Sequence, residues 1–127
     1  MYVHCNPNPL GKSVGDCVVR ADAIATNRSW RETYWGICDV GDKQCDMPSS
    51  NPVWGQYLRV NGFRQFLLPD RCPNCVTVRA FASMYPKGVY VIGTGSHAVC
   101  VIDGDWYDSW DSGGEVCSYY WKKENDR

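Results

Sequence analysis

The chain has no excess of charge of either sign, with 13 basic against 14 acidic residues in a total of 127. That balance supplies neither a basic surface for nucleic acid nor a cationic face for an anionic membrane. No stretch approaches the ~18 continuous apolar residues of a membrane span. The opening residues, Met1-Tyr2-Val3-His4-Cys5-Asn6-Pro7, lack the basic start and apolar core of an export signal. A cytoplasmic, reducing compartment is therefore the expectation. No repeat or low-complexity segment interrupts the chain, and its length suits a single domain over 1–127 that holds a core without staples. Histidine is scarce, at two residues, His4 and His97.

Cysteine and large aromatics are abundant: eight Cys, six Trp and eight Tyr. Without an export signal, free thiols, a metal site or a nucleophile account for the cysteines better than four disulfides do. The aromatics suggest a compact core with aromatic walls around a cleft.

Residues 1–15 read as an irregular lead-in, because Asn6-Pro7-Asn8-Pro9 disfavours helix and Gly11 and Gly15 mark turns. Cys17 to Thr26 is nearly all apolar, the pattern of a short buried helix, and Asp16 is placed to cap it. Ser29-Trp30-Arg31-Glu32 is a capping-box signature for a helix burying Trp30, Tyr34 and Ile37. A polar loop from Cys38 to Ser50 follows. Asn51-Pro52 opens a third helix with Val53, Trp54, Tyr57 and Leu58 inside, ended by Asn61-Gly62.

Phe63 to Leu68 suggests a short strand, and Asp70 to Cys75 a second polar loop. Thr77 caps a fourth helix carrying Val78, Phe81 and Tyr85, stopped at Pro86-Lys87-Gly88. The period then changes. Val89 to Ile92, Ser96 to Ile102, Trp106 to Trp110 and Val116 to Trp121 read as strands of an antiparallel meander. Lys122 to Arg127 reads as a frayed, charged tail. The expected class is α+β, with N-terminal helices followed by an antiparallel sheet.

The chemistry concentrates at Cys17, which the cap places at the first position of a helix. A thiol of pKa about 8.5 is mostly protonated at neutral pH, and a helix start or an adjacent imidazolium lowers that value. The neighbouring carboxylate of Asp16 opposes a second negative charge, so most of the activation falls to a histidine. His97 opens an apolar strand, whereas His4 lies in the lead-in with nothing positioned around it. Hairpin counting supplies the third group. With Asp103-Gly104 as a two-residue turn, Ile102 faces Asp105 and Asp108 falls opposite Val99, on the face of His97. A register moved by one residue would favour Asp111, which is the runner-up.

A helix-opening cysteine, a strand-opening histidine and Asp108-Ser109-Trp110 in that order resemble the papain-like cysteine peptidase superfamily, in a small phage or bacterial form. The Asp-Ser-Trp return is similar to that family's Asn-Ser-Trp, with a carboxylate in place of the amide. The resemblance implies a papain-like fold, a Cys17-His97-Asp108 triad and a Trp110 that shields the His97 hydrogen bond. It also implies a protein or peptide substrate and no cofactor. The family's oxyanion-hole glutamine has no counterpart: Gly11 occupies that position and no glutamine precedes Cys17. Asn8 is the candidate substitute, alongside the backbone N–H of Cys17.

Cys72-Pro73-Asn74-Cys75 has zinc-knuckle spacing. Its one available partner pair is Cys38 and Cys45, separated by six residues instead of the usual two to four. A disulfide or free thiols are the alternatives to zinc at these four positions. Cys100 falls on the opposite strand face from His97 and reads as core, and a buried Arg20 requires a carboxylate partner.

Three functions follow. The first is a thiol hydrolase or acyltransferase using Cys17, His97 and Asp108. The second is an inactive papain-like fold that binds a protein partner. The third is an interaction module stabilised by zinc or disulfides through Cys38, Cys45, Cys72 and Cys75.

Overall fold

Three helices follow the lead-in. In the computed structural model, which describes residues 1–69 and 71–124, they are α1 (Cys17–Thr26), α2 (Trp30–Gln44) and α3 (Asn51–Val60). Ser29 caps α2 through a complete capping box: its hydroxyl accepts from the Glu32 N–H while the Glu32 carboxylate accepts from the Ser29 N–H. Pro52 sits in the first turn of α3. The fourth helix, α4 (Val78–Met84), starts at Thr77, whose hydroxyl accepts from the Ala80 N–H.

Among the described residues six strands form one sheet: β1 (Tyr2–His4), β2 (Phe63–Leu67), β3 (Val89–Thr94), β4 (Ala98–Ile102), β5 (Asp105–Asp108) and β6 (Cys117–Lys123). Their order across the sheet is β1-β5-β4-β3-β6-β2. The class is α+β, as expected, but the sheet is mixed, because β1 pairs parallel with β5. The run from β3 to β5 is a meander. Strand β6 instead crosses back to lie between β3 and β2.

Residue alternation sorts the core into two layers. Val91, Ala98, Cys100 and Trp121 pack with Val19, Ala21, Ile37, Val53 and Leu58 of the first three helices. Tyr90, Ile92, Val99, Val101 and Tyr120 pack with Val78 and Phe81 of α4. Both sheet faces are covered, which is why these strands read as unbroken apolar runs instead of alternating ones. Each of the buried Val, Leu, Ile and Phe side chains among them contributes roughly 1.5–3 kcal/mol.

Several expectations need correction. The lead-in contains β1, and its Asn-Pro repeat is ordered by side-chain turns: Asn6 Oδ1 accepts from Asn8 N–H, and Asn8 Oδ1 from Leu10 and Lys12 N–H. The polar loop begins later than Cys38, because α2 continues to Gln44. Gly41, read as a loop residue, is buried in that helix, where a Cβ would approach the Asp46 carbonyl to 2.7 Å. Tyr34 lies on the outer face of α2, stacked on Trp30 at 5.0 Å between ring centres. Ser96, His97, Ser109 and Trp110 lie just outside their strands. Of the expected frayed tail, Lys122 and Lys123 belong to β6, and 125–127 lie outside the described residues.

Candidate active site

Cys17 is the first residue of α1, with Asp16 at the N-cap. Asp16 makes no capping hydrogen bond through its side chain. Its carboxylate turns away from the helix start, where it pairs with Arg20 and accepts from Trp30 Nε1 at 2.9 Å and Asn8 Nδ2 at 3.2 Å. Arg20 carries a second carboxylate, with Nη2 3.5 Å from Asp108 Oδ1. The first-turn N–H groups of α1 are thus free of a side-chain acceptor and lend Cys17 a positive helix end.

The sulfur lies between α1 and the start of β4. Burial pushes the Cys17 thiol up, but hydrogen bonds from the His97 ring and the Ala98 N–H, with the charges of His97 and Arg20, outweigh it. The thiol ends below its ordinary value.

A tight turn presents His97, whose carbonyl accepts from the Thr94 N–H at 2.9 Å. Its Nε2 meets Asp108 Oδ2 at 2.6 Å, which leaves Nδ1 as the uncommitted ring nitrogen. Burial disfavours the imidazolium, yet the hydrogen bonds and charges of Asp108 and Cys17 dominate and raise His97 to about 9. Each group thus favours the ionised form of the other. Trp110 covers the outer side of the ring at 4.9 Å between centres.

Asp108 reaches His97 through the expected register. Asp103 and Gly104 take positive φ in a two-residue turn, and Ile102, Val101 and Cys100 face Asp105, Trp106 and Tyr107. The next step brings Asp108 opposite Val99. Its buried carboxylate also accepts from Ser112 Oγ at 2.7 Å and from the Ser109 N–H at 2.8 Å. Burial alone would raise its pKa; the hydrogen bonds from His97 and Ser112 hold it below the usual range. Strand β1 pins the same residue from the other side, since the Asp108 carbonyl accepts from the Cys5 N–H and the Tyr2 hydroxyl.

The remaining candidates are placed elsewhere. Asn8 donates to Asp16 and closes its own turn, and it is not among the residues lining the cleft at Cys17. Asp111 accepts from Trp106 Nε1 at 2.9 Å and from the Gly113 N–H, a turn role. His4 contacts the Tyr2 hydroxyl. Cys38 lies within α2 and Cys45 caps its end, apart from the loop of Cys72 and Cys75. Among the described residues, no three His, Cys, Asp or Glu side chains converge as metal ligands. All eight cysteines are free thiols, and Cys100 is core as expected.

Sequence reasoning treated Arg20 as structural and did not single out Ser112, Ala98 or Tyr119. Only Ser112 had a signal, as the one hydroxyl four residues beyond Asp108. Cys17 and His97 line a cleft of about 240 Å³, together with Gly15, Asn51, Thr94 and Tyr119. A larger groove of about 550 Å³ between α2 and α3 holds none of the triad, so chemistry singles out the smaller cleft. Among the described residues, no helix is long and apolar enough to cross a membrane. Comparison with family models, curated proteins and solved structures finds no match in any of the three.

Proposed function

We propose that the chain is a papain-like thiol hydrolase or acyltransferase acting on an amide or thioester carbonyl, with peptide or isopeptide bonds as the substrate class. The Cys17 thiolate adds to the carbonyl carbon and displaces its π electrons onto oxygen. Collapse of that adduct breaks the bond to the leaving group, which takes its proton from His97. Neutral His97 then accepts a proton from water or an amine as it attacks the acyl-enzyme, and Cys17 departs as thiolate. Asp108 orients the imidazole and stabilises the imidazolium. The observation that carries this reading is that Cys17 and His97 line one cleft, with His97 hydrogen-bonded to a buried Asp108.

A second reading is an inactive descendant that binds a protein partner, and the commitment of Asn8 to Asp16 favours it. Brief iodoacetamide treatment at pH 6, with peptide mapping, separates the two. An ordinary thiol is only about 0.3% ionised there. Cys17 should be labelled well ahead of the exposed Cys45 and Cys72, and His97→Ala should slow it by roughly 10–100-fold. Labelling of Cys17 no faster than that of Cys45 would remove the basis for catalysis.

A further inference from the structure

Asn8, the sequence candidate for donating to the oxygen that becomes negative when a carbonyl is attacked, donates to Asp16 instead and does not line the cleft. Tyr119, Gly93 and Ala98 lie side by side across β6, β3 and β4 in one row of the sheet. Directly paired residues share a sheet face, and Tyr119, Ala98 and Cys17 belong to the same core layer. The Tyr119 ring leans over Gly93 so closely that a Cβ there would lie 2.2 Å from Cζ and 2.6 Å from the hydroxyl oxygen. Only glycine at 93 leaves room for it.

The hydroxyl therefore sits above Gly93, and Ala98 is paired with Gly93 on the next strand, about one strand spacing (~4.8 Å) away. Tyr119 lines the cleft together with Cys17 and His97. No hydrogen-bond partner holds its hydroxyl among the described residues, and burial raises its pKa further and keeps it protonated. A protonated, unengaged donor is what an oxyanion needs.

We infer that the Tyr119 hydroxyl is the side-chain oxyanion donor of this site, acting with the open N–H of Cys17 where the family resemblance calls for a glutamine. The inference rests on the thiol-hydrolase reading. During attack the hydroxyl donates its hydrogen bond to the former carbonyl oxygen, and it releases that oxygen when the double bond re-forms. No proton is transferred from the tyrosine.

Two reagents distinguish this role from a general effect on the thiolate. Acetylation of Cys17 by p-nitrophenyl acetate passes through an oxyanion, whereas alkylation by iodoacetamide does not. In Tyr119→Phe, the acetylation rate, read as the initial release of p-nitrophenolate with Cys17→Ala as background, should fall on the order of 100-fold. Alkylation should stay within twofold. The ratio of the two rates is the readout, because partial unfolding lowers both together. If Tyr119→Phe does not fold, Gly93→Ala, which displaces the ring, should depress the same ratio. An unchanged ratio in the folded variant overturns the assignment. Absence of a hyper-reactive Cys17 in the unaltered protein overturns the parent reading instead.

Discussion

Replacing Asp108 by Asn removes a charge while keeping the shape and one hydrogen-bond acceptor for His97. The rise at His97 from the ordinary 6.5 to about 9 favours the imidazolium, by roughly 3 kcal/mol at most. Burial opposes that preference, and Asp108 leads the groups that produce it, ahead of Cys17. An amide at 108 still accepts from Nε2–H but contributes no charge, so about 1–1.5 pH units should be lost. The chain has two histidines, and His4 lies in the exposed contact with Tyr2, so NMR titration of ¹³C-labelled imidazoles reads His97 directly. The unaltered protein should show His97 titrating near 9, and Asp108→Asn nearer 7.5–8. Because the imidazolium holds the thiolate in turn, alkylation of Cys17 at pH 7 should slow about tenfold. Circular dichroism establishes that the variant is folded, since Arg20 loses one of its two carboxylate partners. A His97 midpoint that stays within a few tenths of the original would refute the ion-pair reasoning.

Two further predictions concern the scaffold. Asp22 is fully buried with both carboxyl oxygens unpartnered, and burial first, then the charge of Cys17, holds its pKa well above the usual range. The unfolded chain loses this proton near pH 4 while the folded one keeps it. Folding is therefore penalised by about 1.4 kcal/mol for each pH unit above that point, until Asp22 itself ionises. Thermal melts should find Asp22→Asn increasingly more stable than the unaltered protein from pH 4 upward; equal melting temperatures at pH 4.5 and 7 would refute this. Ser29→Ala should cost about 1 kcal/mol in denaturant unfolding, through the lost cap of α2. Its alkylation rate at Cys17 should be unchanged, because the cap makes no contact with the triad.

The parts of this site that could be read in advance are those set by local rules. Asp103-Gly104 admits a two-residue turn, and that turn alone determines the register carrying Asp108 to His97. Asp16 marked the start of α1 correctly. What could not be read depends on long-range partners. Strand β1 has only Tyr2–His4 to identify it and pairs about a hundred residues away with β5. Gly41 looks like a loop glycine because a close approach to the Asp46 carbonyl leaves no mark in sequence. The side chain of Asp16 was expected at the helix N–H groups, its nearest donors. It is drawn instead to Arg20, Trp30 and Asn8, and Asn8 does not line the cleft at Cys17.

That diversion of Asp16 alters the electrostatic argument around Cys17. A carboxylate beside a nucleophilic thiol opposes ionisation, and on sequence alone His97 had to overcome it unaided. Here one guanidinium, Arg20, is shared by Asp16 and Asp108, so the same positive charge offsets the carboxylate beside the cysteine and touches the one behind the histidine. Moving a proton from Cys17 to His97 creates no net charge within this buried group; it creates a dipole. The negative end lies at the open start of α1 with Arg20 near it, and the positive end lies against Asp108. Each end meets a fixed complementary charge that is already desolvated and hydrogen-bonded, so little reorganisation accompanies the transfer. Buried ion pairs of this kind contribute little net stability. Their consequence here is chemical: they favour the ionised form of Cys17, which the proposed reaction requires.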